Sequence, residues 1–298
     1  MRSKYLKFNH LYLTLLAIAL IWSCNPSHQS KKNEQVLNQN EFDFNYSSKE
    51  KNLVSAHRGG SGIENYPENC IETMNYLFEQ GIQIFEIDVA KTKDHQLILM
   101  HDNSLQRTST GRQDVNQITL DRIKEYFLVD DFGNQTSYKI PTFTEALQWG
   151  KSKPIYFMVD IKKDVDYRQL IEEIRTHQME KQVVLVSYSV QQAKKLHQLA
   201  PEMLLSVSMR NEREFNDMMQ SGIPPHQMVA FTGTRRSSDE LYRKIHQQNI
   251  MVILGTLGNI DKSAAARGNN IYQELEQQGV DIFATDRALE VYHTINKN

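Results

Sequence analysis

From Leu53 to the C-terminus, short runs of β-branched, aliphatic and aromatic residues alternate with longer amphipathic stretches. The apolar runs, bounded by polar or glycine-containing turns, predict strands over Leu53–Ala56, Ile82–Val89, Leu97–Met100, Ile155–Ile161, Val183–Ser187, Leu204–Ser208, Met228–Phe231, Met251–Leu254 and Asp281–Ala284. Helical spacing of apolar positions predicts helices near Glu68–Gln80, Thr142–Lys151, Asp166–Gln178, Val190–Leu199, Asn211–Met219, Ser238–Gln248 and Gly268–Gln278. Ser189, Asn211 and Ser238 stand at or just before three of these starts, where a short polar side chain caps free backbone N–H groups. Strand–helix alternation over this length, with strands continuously apolar, predicts an α/β fold of the (β/α)8 TIM-barrel type rather than an open doubly wound sheet. Asn103 to Ile140, polar and carrying Gly111 and Gly133, fits neither pattern and predicts an excursion from the barrel.

The first 23 residues stand apart. Arg2, Lys4 and Lys7 precede the apolar run Leu11 to Trp22 and the small residue Ser23, the order of a secretory signal. That run falls well short of the roughly 20 residues a spanning helix needs. Ile21-Trp22-Ser23-Cys24 resembles a bacterial lipobox, which implies a signal peptide of lipoprotein type over 1–23 and lipidation of Cys24. Residues 24–49, rich in Asn, Gln, Ser and Lys, read as a flexible tether. Export to a bacterial cell envelope, lipid-anchored at a membrane surface, is the expectation. With Cys24 lipidated, Cys70 has no disulfide partner, so residues 50–298 must hold together as one large domain by a hydrophobic core. The chain's formal charge is −2, and removing three signal cations without any acid leaves −5, which favours no nucleic-acid partner. No particular oligomeric state is predicted.

Candidate chemistry gathers within 46 residues, where His57-Arg58, Glu86-x-Asp88 and His101-Asp102 each sit near the end of an apolar run. In a parallel barrel the reactive groups collect at the carboxyl ends of strands. Glu86 and Asp88 are two apart on one strand and so point to one face, with Phe85, Ile87 and Val89 on the other. Asp160 and Lys162 repeat the arrangement above Met158. Three carboxylates without a thiolate or a histidine pair at ligand spacing suit one hard divalent cation, Ca²⁺ or Mg²⁺, rather than zinc. Two imidazoles for proton transfer, carboxylates for a cation and a guanidinium for an anion are the parts of a metal-assisted phosphodiester cleavage site. Of the remaining histidines, His177, His197, His246 and His293 read as helical or terminal groups without chemical partners.

His57-Arg58-Gly59, Pro67-Glu68-Asn69, Glu86-Ile87-Asp88-Val89, His101-Asp102 with Leu105 and Arg107-Thr108, Ile140-Pro141-Thr142 and Thr285-Asp286 together resemble the glycerophosphodiester phosphodiesterases. The resemblance implies a TIM-type barrel with a small insertion after the second strand, which the excursion at about 103–140 fits. It implies that His57 and His101 form the acid–base pair, that Glu86, Asp88 and Asp160 bind the cation, and that Arg58 and Lys162 hold the phosphate. Glu68, Asn69 and Asp102 take supporting places, with Glu68 or Asp102 orienting an imidazole. Three positions depart from the family pattern: Asp160 stands where a glutamate is usual, Cys70 where a threonine is common, and Leu254-Gly255-Thr256 where many relatives carry an aromatic residue. The implied reaction is hydrolysis of a glycerophosphodiester to glycerol 3-phosphate and an alcohol. Either a glycerol 2-hydroxyl or water is the nucleophile. Two other readings remain open: phospholipase C- or D-like cleavage of an intact lipid, and a surface lipoprotein that binds phosphorylated headgroups without turnover.

Overall fold

The computed structural model describes residues 44–49 and 52–296. The predicted signal, Cys24 and most of the predicted tether lie outside the described residues. Nine strands are present among the described residues: β1 (Leu53–Ala56), β2 (Ile84–Lys91), β3 (Leu97–Leu99), β4 (Tyr156–Ile161), β5 (Val183–Ser187), β6 (Leu204–Ser208), β7 (Met228–Phe231), β8 (Val252–Gly255) and β9 (Ile282–Thr285). All except β3 are parallel neighbours in the order β1-β9-β8-β7-β6-β5-β4-β2, and a β1–β2 pairing closes the ring. The fold is therefore an eight-stranded (β/α)8 barrel of TIM type with one extra strand.

Among the described residues ten α-helices accompany the strands: α1 (Ile71–Glu79), α2 (Leu120–Ile123), α3 (Phe143–Gly150), α4 (Tyr167–Thr176), α5 (Val190–Leu199), α6 (Glu212–Met219), α7 (Asp239–Gln247), α8 (Asn259–Arg267), α9 (Asn270–Gln277) and α10 (Ala288–Ile295). Ser189, Asn211 and Ser238 accept hydrogen bonds from the backbone N–H groups of Gln192, Glu214 and Leu241, capping α5, α6 and α7. Three helices, the short α2 within the excursion, α8 and α10, have no counterpart among the predicted ones. α8 buries only Asp261 and Ala264, so it carries no apolar stripe for periodicity to report.

Predicted as one strand among equals, Leu97–Met100 instead makes a hairpin. β3 pairs antiparallel with the end of β2, Leu97 opposite Lys91 and Leu99 opposite Val89. Thr92 reverses the chain by accepting the Gln96 N–H on its hydroxyl while donating its own N–H to the Gln96 carbonyl. The hairpin opens the excursion, which has a small core of its own around Ile98, Met100, Leu105, Val115, Ile123, Leu128 and Ile140, with Cys70 beneath.

The alternation of β2 and β4 divides the main core in two. Phe85, Ile87, Phe157 and Val159 face outward against the helices, whereas Ile84, Tyr156 and Met158 face inward with Leu53, Val184, Val229, Ile253 and Ile282. Phe44 completes that inner cluster, its ring edge-on to Tyr156 at 5.0 Å. Residues 44–49, assigned to the tether by composition, are thus packed on the barrel. Asn45 bridges to Ile250, and Lys49 pairs with the fully buried Asp281 at 2.6 Å. His246 also differs from expectation. Its Nε2 lies 2.8 Å from Asp281, and Tyr46 stacks on its ring at 3.7 Å, because a carboxylate buried at the start of β9 must find partners. Removing the Phe44 ring by Phe44→Ala is expected to destabilise the barrel by about 3 kcal/mol, read as a lower urea midpoint at unchanged slope; an unaltered midpoint would show that the segment is not part of the cooperative unit.

Candidate active site

At the carboxyl end of the barrel, register decides which side chains meet. Asp88 is directly opposite Asp160 and Glu86 directly opposite Met158 across the β2–β4 pair. Oxygens of Glu86, Asp88 and Asp160 all lie within 4.8 Å of one another. Lys162, just past β4, places its ammonium 2.6 Å from Asp88 and 2.7 Å from Asp160. Although burial opposes ionisation, the Lys162 charge and the hydrogen bonds from Lys162 and Asn69 hold Asp88 below the usual carboxylate range. Among the described residues no lysine or arginine side chain pairs with Glu86. Desolvation and the neighbouring Asp88 charge push it up to about 8.

The turn after β1 supplies part of what Glu86 lacks. Arg58 adopts a left-handed backbone (φ 53°, ψ 35°), uncommon for a side-chain-bearing residue and costing on the order of 1 kcal/mol or more. This turns the Arg58 N–H onto Glu86 Oε2 at 2.8 Å and lets the Arg58 carbonyl accept from Asn69 N–H at 2.6 Å. Gly60 follows at φ 121°, where a Cβ would lie 2.6 Å from Leu77 Cδ1, so the turn can rest on α1 only as glycine. Asn69, itself left-handed at φ 52°, grips Asp88 twice. Its amide donates to the carboxylate at 2.8 Å, and its carbonyl accepts the Asp88 N–H at 3.0 Å.

Each imidazole is backed by a carboxylate. His57 Nδ1 lies 2.7 Å from Asp286 Oδ1, and His101 Nδ1 lies 2.7 Å from Asp102 Oδ1. Ionised carboxylates only accept, so Nδ1 carries the proton in both rings and Nε2 is left for chemistry. Burial alone would lower the His57 pKa, but the Asp286 hydrogen bond and the Glu86 and Asp286 charges outweigh it and raise it. His101 Nε2 receives Arg58 Nη2 at 2.9 Å; a guanidinium cannot accept, so here the imidazole is neutral and presents a lone pair. His101 reaches this rim because β3 runs antiparallel, carrying the chain back past Asp88 after β2 has overshot it.

Glu68 orients no imidazole. Its buried carboxylate is taken by Arg107, bidentate at 2.7 and 2.8 Å, and by Arg58 at 3.0 Å. Arg107 also binds Asp102, and its hydrogen bonds and the His101 contact hold that acid well below the usual range. Glu68 thus acts on the guanidiniums, one link from His101. Arg58 Nε is buried without an acceptor among the described residues, a donor suited to an anion.

Two partners had no assigned role from sequence. Asp286 follows β9 and Tyr188 follows β5, so the carboxyl-end position was the available signal. Tyr188 as a whole is more than half exposed, but desolvation of its hydroxyl and the nearby Asp160 carboxylate raise its pKa above the usual tyrosine value. The donor set also meets a simple test for a hard divalent cation. Three carboxylates converge, one ammonium neutralises part of their charge, and Glu86 is left so underserved that it takes up a proton near neutrality.

A parallel barrel with imidazoles and carboxylates gathered at its carboxyl rim is the arrangement of a TIM-barrel enzyme. A model described as the glycerophosphoryl diester phosphodiesterase family matches residues 57–290, which include every rim residue above. A glycerophosphodiester phosphodiesterase of Caldanaerobacter subterraneus subsp. tengcongensis is 30% identical over 163 residues, 53% of this chain and 66% of that protein. One from Bacillus subtilis is 27% identical over 229 residues, 70% and 75% of the two chains. A crystal structure of a glycerophosphoryl diester phosphodiesterase from Parabacteroides distasonis superposes with a TM-score of 0.80 at 30% identity, covering 87% of this chain and 91% of that one. An Oleispira antarctica phosphodiesterase, solved with the product sn-glycerol-3-phosphate, shares the fold at a TM-score of 0.62 and 20% identity, covering 83% and 98%. The chain belongs to the glycerophosphoryl diester phosphodiesterase family.

Glu86 also makes a stability prediction. An acid whose folded pKa is raised, here from 4.5 to about 8, binds protons more tightly when folded, so its contribution to stability falls as pH rises across that window. Without divalent cation, Glu86→Gln should therefore gain on the wild-type protein by a few kcal/mol at most between about pH 5 and pH 8, measured by urea unfolding. Added Ca²⁺ or Mg²⁺ should erase the gain; a pH-independent difference would remove the raised pKa.

Proposed function

We propose that the protein hydrolyses glycerophosphodiesters to glycerol 3-phosphate and an alcohol, with His57 and His101 as the acid–base pair. The observation that carries this reading is the pair of imidazoles, each fixed by a carboxylate at 2.7 Å, flanking a three-carboxylate cluster. Binding without turnover would need the charged groups but not two oriented proton carriers. Glu86, Asp88 and Asp160 would hold one Ca²⁺ or Mg²⁺, which supplies positive charge to the non-bridging oxygens as they gain negative charge. Arg58, with its free Nε–H, would hold the phosphate. Lys162 is engaged by Asp88 and Asp160, and serves the phosphate by the charge it contributes beside them.

The two imidazoles divide the labour by environment. His57, with its pKa raised, favours the protonated form and acts as the acid that protonates the departing alkoxide. His101, neutral with Nε2 as an acceptor, takes the proton from the nucleophile. Either the glycerol 2-hydroxyl, giving a cyclic phosphate that water then opens, or water directly fits this assignment.

Glycerol 3-phosphate release from glycerophosphocholine, glycerophosphoethanolamine and glycerophosphoinositol is the test, with EDTA and with added Ca²⁺ or Mg²⁺. Cation-dependent release is expected, reduced roughly 100-fold or more in both His57→Ala and His101→Ala. An activated leaving group such as p-nitrophenol should recover more activity in His57→Ala than in His101→Ala; the reverse order would exchange their roles. No release from any diester, with cation still bound, would move the substrate to intact lipid or another phosphodiester.

We further propose that the protein works at a bacterial envelope membrane, lipidated on Cys24 after removal of residues 1–23, on the support of the basic–apolar–Ser23-Cys24 order. Labelled fatty acid should enter the wild-type protein and not Cys24→Ser; equal labelling would exclude this anchor.

A further inference from the structure

Behind the Asp286–His57 pair lies another carboxylate, one outside every motif read from the sequence. Asp261, in the first turn of α8, is only 4% exposed. Its Oδ1 accepts the Tyr272 hydroxyl at 2.9 Å, and its Oδ2 accepts both the Thr285 hydroxyl at 2.8 Å and the Asp286 backbone N–H at 2.9 Å. Its own N–H donates to the Thr256 carbonyl at the end of β8, at 3.0 Å. Among the described residues no salt bridge involves Asp261. Arg287 reaches the Tyr272 hydroxyl at 3.4 Å and so stands one link away.

A buried carboxylate without a counter-ion is costly unless several donors converge on it. Three do here, and two of them belong to the turn that carries Asp286. The Asp286 side chain is 38% exposed and holds His57 Nδ1 at 2.7 Å, with Ser61 Oγ donating to the same oxygen at 2.9 Å. A half-exposed aspartate has rotamer freedom of its own, so its aim depends on how firmly its backbone is held. The Asp261 clamp fixes the main chain from which that side chain projects. It ties α8, α9 and the β9–α10 turn to one anion, directly behind the residue that orients His57.

We infer that Asp261 is a positioning residue: by clamping the Thr285-Asp286 turn it keeps Asp286 aimed at His57 Nδ1 and so keeps His57 in the single tautomer whose Nε2 can exchange protons with substrate. The catalytic part of this inference rests on the acid–base role given to His57 above, whereas the tautomer part does not. An amide at position 261 offers one neutral accepting oxygen and turns an NH₂ toward the remaining donor, so Asp261→Asn weakens the clamp with little change of volume.

The experiment joins side-chain ¹⁵N NMR of His57 to steady-state kinetics, in wild type, Asp261→Asn, Thr285→Val and Thr285→Ser, with thermal unfolding alongside. Expected are one Nδ1–H tautomer in wild type and Thr285→Ser, and mixed tautomers in Asp261→Asn and Thr285→Val. kcat should fall roughly 10- to 100-fold in Asp261→Asn, less in Thr285→Val, with KM nearly unchanged. A lower unfolding temperature with the wild-type tautomer and kcat would make Asp261 purely structural and overturn the inference. Should Asp261→Asn fail to fold, Thr285→Val decides on the same readouts, since it deletes one donor and leaves the buried acid. Inactivity of the wild-type protein on glycerophosphodiesters would overturn the proposed reaction, while the His57 tautomer still decides the positioning role.

Discussion

Asp88 and Asp160 are register partners on adjacent inward-facing strand positions, and Glu86 stands one layer below Asp88 on the same strand. Three carboxylates in so small a volume cannot all stay ionised without opposing charge. The rest of the rim answers that constraint: Lys162 bridges Asp88 and Asp160, Asn69 donates a second bond to Asp88, and the Arg58 backbone bends into a disfavoured conformation to offer Glu86 an N–H. What the protein's own groups leave unmet appears as the raised pKa of Glu86. A hard cation is the remaining way to relieve it.

Around this anionic centre the two imidazoles are built alike and placed differently. Both use Nδ1 on a carboxylate, but His57 sits beside Glu86 and Asp286, whereas His101 faces the Arg58 guanidinium. Arg58 thus links the two halves, its backbone serving Glu86 and its side chain serving Glu68 and His101. The excursion has a chemical purpose in this arrangement. Its opening hairpin delivers His101, and its Arg107 locks Asp102 and Glu68 together.

The two ends of the barrel separate function from stability, as in other folds of this kind. Titratable groups crowd the carboxyl rim, while the opposite mouth is filled by Phe44 and tied by Lys49, His246 and Asp281. The last residues of the predicted tether, Phe44–Lys49, are thereby part of the folded body, at the end remote from the carboxyl rim.

Much of this was legible along the chain. β5, β6 and β7 have their predicted bounds, the three caps lie at the expected residues, and the alternation of Glu86 and Asp88 with Phe85, Ile87 and Val89 put the acids inside. These features depend on backbone periodicity and on contacts a few residues apart, which a sequence displays directly. The antiparallel sense of β3 was not legible, because an apolar run has no direction until it meets a partner. Nor was α8, a helix whose buried residues are only an acid and a small alanine, Asp261 and Ala264. The seating of Phe44, the capture of Glu68 by Arg107, and the chain from Asp261 through Asp286 to His57 join residues far apart in sequence. Composition and spacing determined the barrel and its inward acids; closure of β1 onto β2 and β9 decided which rim side chains touch, because only the closed ring brings the first and last strands of the barrel side by side.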